Sequence, residues 1–317
     1  MSADSSDPAE RLLPVMRQLV RAGSVPRSRW PVAVPAPERF GLAVVGDTVR
    51  LPEGIRLLDG RTIAAALSRR AAGWVRSLEI HPVIGSTNTE LMSLASRLSV
   101  EGQVRLAELQ VAGRGRRGRT WYSPFAANLA ISLGFTAHRP AAQLGGLSLV
   151  VGLAVVDALE AQGIDGLSLK WPNDILLAGA KLGGILIEIV NTARGFEIIV
   201  GIGLNFRLPE VLRAELDQAV ATLLDADPRA DRNALAAAVI SSVHEFVAEF
   251  QQLGFEPFRK AFDVRHAFQG RSCRVIRGPQ VTEGRVEGVD GEGALLLRTD
   301  AGVLVFHGGE VSLRPYD

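Results

Sequence analysis

Residues 167–171, 175–177, 182–190 and 196–205 read as four strands in quick succession, joined by turns too short to hold a crossover helix. Parallel neighbours need a connection of about a dozen residues or more, so strands linked this closely pair antiparallel. The run excludes a doubly wound parallel sheet and predicts an α+β fold, with a mixed, largely antiparallel sheet and flanking helices. Residues 147–161 are apolar on most of a helix circumference and belong in the centre of a core. Residues 233–253 form a long amphipathic helix, with a second helical segment at 257–267. Upstream, Leu91, Leu94, Ala95 and Leu98 keep the i, i+3, i+4, i+7 stripe of a helix that Thr87 and Glu90 would open as a capping box. Residues 104–111 read as a strand, and Leu129, Ile131, Leu133 and Phe135 alternate with smaller residues as in a half-buried strand.

A chain of 317 residues is long for one domain, and the pattern changes twice along it. Residues 1–60 hold one short apolar-periodic segment, Leu12 to Val20, then Pro26, Pro31, Pro35 and Pro37, which forbid a second long helix. Residues 40–51 read as two short strands around Gly46-Asp47. Residues 61–269 carry the mixed sheet. From 270 to 317 come short strands at 272–276, 284–289, 294–299 and 303–306, split by Gly-, Pro- and Asp-containing turns, the pattern of a small barrel.

Charge and cysteine content narrow the function classes. Lys and Arg number 35 against 34 Asp and Glu, so any basic site must be local. A single cysteine, Cys273, excludes an internal disulfide framework and a thiolate-rich metal site; it reads as a small buried hydrophobe. The most apolar stretch, 145–156, is well short of the roughly 20 residues that span a bilayer, and the first ten residues lack the basic-then-apolar order of a secretory signal. A cytoplasmic protein without a membrane partner is expected. His81, His138, His244, His266 and His307 lie far apart with no metal-ligand spacing.

Three segments could carry chemistry. Gly113-Arg114-Gly115-Arg116-Arg117-Gly118-Arg119 precedes Thr120-Trp121, a density of arginine and glycine that packing does not explain. Glycine lets backbone N–H groups approach a ligand, and arginine offers bidentate donors to phosphate. A phosphate-cradling loop, an RNA-binding patch and a solvated surface loop all fit this composition. It is neither a P-loop nor a dinucleotide fingerprint. Lys170-Trp171-Pro172-Asn173-Asp174, followed by Lys181-Leu182-Gly183-Gly184, sets a carboxylate and an ammonium at neighbouring strand ends, although a turn with an incidental lysine reads the same way. Gly201-Ile202-Gly203-Leu204-Asn205 is a strand whose glycines permit close approach.

Together these segments resemble the biotin protein ligase family. The resemblance runs through Gly85-Ser86-Thr87-Asn88, Gln110, residues 113–121 with Ser123-Pro124, Asn128-Leu129, residues 170–174, 181–188 and 201–205, and ends at Gly308-Gly309-Glu310-Val311-Ser312-Leu313. It implies the sheet of class II aminoacyl-tRNA synthetases and biotin ligases with a C-terminal SH3-like barrel. It also implies two steps: biotin and ATP give biotinyl-5′-AMP and pyrophosphate, and the biotinyl group then passes to a lysine on the biotin carboxyl carrier domain of acetyl-CoA carboxylase or a related carboxylase. By position, Ser86, Thr87, Asn88, Gln110, Arg114, Gly115, Arg116 and Lys181 match the biotin-contacting set. Arg117, Gly118, Arg119, Trp121, Asn173 and Asn205 fall on the ATP and adenylate side. Arg114, Arg116 and Lys181 would stabilise the reacting carboxyl and phosphate, and Asp174 would orient or deprotonate the acceptor lysine. Mg2+ is expected with ATP, held largely by the phosphates and by carboxylates that the sequence does not identify. The resemblance leaves a homodimer open.

The chain departs from the family at its N-terminus. Some members carry a winged helix-turn-helix there and repress biotin-synthesis genes, but four prolines stand in residues 25–37, where a recognition helix should lie. Sequence-specific DNA binding is therefore not expected. The alternatives are a lipoate or octanoate ligase on the same fold, a biotin-operon repressor with biotinyl-AMP as corepressor, and, last, an RNA-binding protein.

Overall fold

The computed structural model describes residues 7–32, 34–209, 219–308 and 311–316. Of the segments quoted above, Gly309 and Glu310 lie outside the described residues, as do residues 1–6 of the N-terminal stretch. The first described element is a helix, Pro8–Ala22, whose Asp7 cap accepts a hydrogen bond from the Ala9 amide at 3.0 Å and which ends at Gly23 with φ +73°. A three-stranded antiparallel sheet follows, β1 (Ser24–Pro26), β2 (Ala43–Val45) and β3 (Thr48–Arg50), in the order β1-β3-β2. β2 and β3 are the hairpin read at Gly46-Asp47. Between β1 and β2 the described helical structure is limited to 3-10 turns at Arg27–Arg29 and Pro37–Phe40, as the prolines require.

The central sheet contains β4 (Ser77–His81), β5 (Gln103–Ala107), β6 (Asn128–Thr136), β7 (Leu167–Lys170), β8 (Asp174–Leu177), β9 (Ala180–Thr192) and β10 (Gly195–Asn205). Its order is β4-β5-β6-β10-β9-β8-β7. The strands from β7 to β10 pair antiparallel through short turns, as their links predict. Only β4 and β5 pair in parallel, and the helix Thr87–Ala95 lies in the connection between them, the crossover such pairing needs. The helices Leu147–Glu160 and Arg232–Leu253 pack together and bury the apolar side of the sheet.

Two sequence expectations need correction. β6 is buried along nearly its whole length rather than on one face, because the Thr87–Ala95 helix covers the second face. The smaller alternating residues mark close approach: a Cβ on Gly134 would stand 2.3 Å from the Val100 carbonyl oxygen. The capping box is also absent. Ser86 is the cap residue of that helix, Thr87 bonds to Gln110, and Glu90 reaches Arg105 at 3.0 Å and His81 at 3.1 Å.

The C-terminal sheet, β11 (Ser272–Arg277), β12 (Gln280–Val289), β13 (Leu295–Thr299), β14 (Gly302–Phe306) and β15 (Val311–Pro315), is antiparallel in the order β14-β13-β12-β11-β15. Cys273 is buried in it. Trp171, at the end of β7, donates its indole N–H to the Gly293 carbonyl at 3.1 Å and ties the two sheets together. Among the described residues no helix is long and apolar enough to cross a membrane.

Candidate active site

One cleft of about 260 Å³ gathers residues that stand far apart in the chain. Ser86, Thr87, Asn88, Gln110, Arg114, Gly115, Arg116, Arg117, Arg119, Trp121, Asn173, Asp174, Lys181 and Asn205 all line it. Gly118 does not. It is exposed at the tip of the arginine loop, where Arg117 and Gly118 turn the chain with φ +59° and +70°. Below that tip the loop is a small hairpin: Gly115 N–H donates to Arg119 O at 2.8 Å, and Trp121 N–H to Gly113 O at 2.9 Å.

One end of the cleft is a wall of uncharged polar groups. Gln110 Oε1 accepts from both the Thr87 amide, at 2.9 Å, and the Thr87 hydroxyl, at 3.2 Å. The Ser132 hydroxyl donates to Asn88 Oδ1 at 2.5 Å and stands 2.7 Å from Thr87 Oγ1. Ser132, hidden in the middle of β6, had no distinguishing signal in the sequence. Gly201 makes the wall possible, because a Cβ there would meet Asn88 Oδ1 at 2.3 Å. Gly203 does the same for Trp121, whose ring would lie 2.6 Å from an added Cβ. The Trp121 indole N–H is buried without a hydrogen-bond partner, a donor left over at the cleft. Ile131, Ile185, Leu186 and Ile202 supply apolar lining.

The other end is cationic. Arg114, Arg116, Arg117, Arg119, Lys170, Lys181 and Arg314 line the cleft, and among the described lining residues Asp174 is the only carboxylate. Asp174 opens β8, and a bulge between Ile175 and Leu176 in the β8–β9 pairing aims Lys181 back at it. Lys181 Nζ lies 2.8 Å from Asp174 Oδ1, and Lys170 Nζ is 3.8 Å from Oδ2. Gly184 stands opposite Asp174 in that pairing. Burial pulls the Lys170 pKa below the ordinary lysine value; Asp174 opposes that shift, while Lys181, Arg314 and Arg119 add to it. Arg116 donates to Asn173 Oδ1 at 2.7 Å, and Asn173 Nδ2 to the Ile185 carbonyl at 3.0 Å.

Three placements refine the sequence reading. Asn205 gives its amide hydrogens to the Lys181 and Ala221 carbonyls, each at 3.3 Å, so it holds the cleft wall together. Lys170, quoted in the motif but given no role there, belongs to the cation cluster. Ser312 and Leu313, at the end of the matched segments but given no role there, arrive from β15 of the other sheet together with Arg314, which no local pattern foretold. Glu79, His81 and Glu90 bring ligand-type atoms within 4.8 Å of one another away from the cleft, but Arg105 already pairs with both carboxylates, at 3.2 and 3.0 Å.

Comparison with known proteins matches residues 80–205 to the biotin/lipoate A/B protein ligase family and residues 268–314 to the biotin protein ligase C-terminal domain. The bifunctional ligase/repressor BirA of Escherichia coli is 37% identical over 272 residues, covering 86% of this chain and 83% of that protein. The chain belongs to the biotin protein ligase family. The biotin–[acetyl-CoA-carboxylase] ligase of Mycobacterium tuberculosis is 34% identical, over 80% of this chain and 95% of its own length. Among solved structures, the biotin protein ligase of Aquifex aeolicus in complex with biotin and ATP superposes with a TM-score of 0.65 at 28% identity, covering 76% of this chain and all of that one. In this biotin protein ligase the first matched region holds the polar wall, the arginine loop and both lysines, and the second supplies Arg314.

Proposed function

We propose that the cleft joins biotin to AMP and then passes the biotinyl group to a lysine of a carboxylase carrier domain. The observation that carries this reading is Asp174 held between Lys170 and Lys181 among the cations of a cleft that also carries a neutral polar wall. A biotin molecule has the same two ends. Its cyclic urea needs donors and acceptors together, which Thr87, Asn88, Gln110 and Ser132 offer. Its carboxylate must approach the α-phosphate of ATP, and fixed cations offset the repulsion between the two anions. Lipoyl and octanoyl chains have no urea for the polar wall to engage, which favours biotin over them.

In the first step a biotin carboxylate oxygen attacks the α-phosphorus and pyrophosphate leaves. Lys181 and Arg116 stabilise charge on the reacting oxygens, with Arg114 beside them. Arg117, Arg119 and Asn173 belong on the nucleotide side, and the Trp121 indole N–H is the donor for a nucleotide oxygen or ring nitrogen. Gly118 acts through the turn it allows. Mg2+ bound with ATP would supply charge neutralisation at the phosphates, and Asp174, faced by Lys170 and Lys181, is poorly placed to hold it. In the second step the acceptor amine attacks the acyl carbon and AMP departs. Asp174 keeps Lys181 in place through Oδ1, while Oδ2, held more loosely, accepts a hydrogen bond from the incoming amine. We assign residues 1–60, 61–269 and 270–317 to three units, of which the second and third build the cleft. The described helical structure between β1 and β2 is two 3-10 turns, Arg27–Arg29 and Pro37–Phe40, and we read this unit as one without a major-groove recognition helix.

The test is an adenylation assay with biotin, magnesium and ATP labelled at the α-phosphate, with lipoate and octanoate in parallel, followed by a biotin-acceptor domain. Biotin-dependent adenylate consumed by the acceptor is expected. Product with another acid instead would overturn the substrate, and no adenylate with any acid would overturn the reaction.

A further inference from the structure

Glu188 is a carboxylate beside a site built for anions, and it does not line the cleft. Its side chain is only 14% exposed. It sits on β9 opposite Ile199 of β10, behind the polar wall. Each of its oxygens serves a different residue that does line the cleft: Oε1 lies 3.1 Å from Arg114 Nη1, and Oε2 accepts from Asn88 Nδ2 at 2.9 Å.

We propose that Glu188 is a positioning residue, holding Arg114 and the Asn88 amide in the orientation the ligand requires. The guanidinium is a rigid fork of five N–H donors. Glu188 engages Nη1 of a side chain that lines the cleft, and the remaining donors of the fork are not taken by it, so the contact braces Arg114 without using up its capacity for a ligand. The side chain of Arg114 is half exposed, and without that brace its remaining side-chain contact is a weak one, Nη1 at 4.0 Å from Met92 Sδ. The effect on Asn88 is complementary. A carboxylate accepts and does not donate, so it draws the NH2 end of the amide toward itself and turns Oδ1 to the Ser132 hydroxyl. Glu188 thereby joins the base of the arginine loop to the polar wall through one side chain. This inference rests on the ligase reading for its ligand, but the brace itself can be measured without one.

The test uses Glu188→Gln, whose amide oxygen can still accept from Asn88 while the charge facing Arg114 is gone. In the ligand-free full chain, hydrogen exchange at the Gly115 and Trp121 amides should become about tenfold faster, the scale of one charge-assisted contact. In protein loaded with biotin and magnesium-ATP, loss of biotinyl-AMP should also become about tenfold faster, with the KM for ATP unchanged. In an Arg114→Ala background the same substitution should change adenylate loss by less than about twofold, because the partner is gone. Unchanged exchange, slower adenylate loss, or equal effects in both backgrounds would each overturn the proposal. If the wild-type chain forms no adenylate, the ligase reading fails while the exchange measurement still decides on the brace. If Glu188→Gln does not fold, Arg114→Gln, at a half-exposed side chain, replaces it in the exchange experiment with the same expected acceleration.

Discussion

The N-terminal helix and its small sheet pack Leu12, Met16, Leu19 and Trp30 against Val83, Leu109 and Phe125 in a core of their own, whereas the C-terminal sheet runs Val275, Val286, Leu295 and Leu313 into the core of the central sheet. The two units also differ at the cleft. The C-terminal sheet puts Ser312, Leu313 and Arg314 into its lining; the N-terminal unit puts no residue there among those described. It stands behind the site instead, with the Phe40 carbonyl accepting from the Phe125 amide at 2.8 Å and Leu109 preceding Gln110. One appended unit therefore lines the cleft and the other only backs its wall.

The sharpest way to break this contrast is to hollow out each interface in turn. Trp171 is buried and bonded to Gly293 across the sheets. Trp171→Ala should cost about 3–5 kcal/mol and abolish adenylation at assay temperature, since the C-terminal sheet would no longer be seated. Leu12→Ala should cost about 2–5 kcal/mol, yet in denaturant it should bring an early transition confined to the N-terminal unit, with kcat largely retained. A single shared transition for both variants, followed by circular dichroism and activity, would erase the distinction.

Acid should act on the C-terminal joint before the N-terminal one. His266 lies at that joint, bridged to Leu169 and stacked at 5.3 Å on Phe262, and burial, with both ring nitrogens lacking a hydrogen-bond partner, pushes its pKa down to about 4. Between its ordinary value of roughly 6.5 and about 4, the unfolded chain takes up a proton that the folded chain refuses. Stability therefore falls as pH drops through that window, by roughly 3 kcal/mol in all. Denaturant titrations at stepped pH should show this slope, and His266→Phe should flatten it.

The smallest effect separates the two units at the level of ligand. Arg314→Ala should raise the KM for ATP several-fold, because it removes one cation of the cluster, and should leave transfer from preformed biotinyl-AMP unchanged. Arg50→Ala, an exposed arginine of the N-terminal sheet, should alter neither. Equal effects of the two substitutions would mean that only the general charge of the surface matters.

Much of this was legible in the chain. The tight succession from β7 to β10 dictated antiparallel pairing, whereas the arginine loop and Lys170 to Asp174 were each open to other readings until the family resemblance joined them in one site. What escaped depends on contacts between distant segments. The parallel β4–β5 pair shows only once the crossover helix is placed. Ser132 and Arg314 join the site because β6 and β15 happen to pass it, and nothing local distinguishes them. Thr87 and Glu90 have the spacing of a cap, but bonds to Gln110, Ser132 and Arg105 of other segments claim them instead.

Gly203 and Trp121 have a consequence for altering what the enzyme accepts. The indole occupies the volume that a side chain at 203 would fill. Space there is shared between two positions more than eighty residues apart, and it can be redistributed: a smaller residue at 121 opens a hole beside the strand, and a methyl at 203 raises a bump. With the nucleotide beside Trp121 as proposed above, a variant pair shaped in this way would be a starting point for a ligase that takes a modified nucleotide and ignores the natural one.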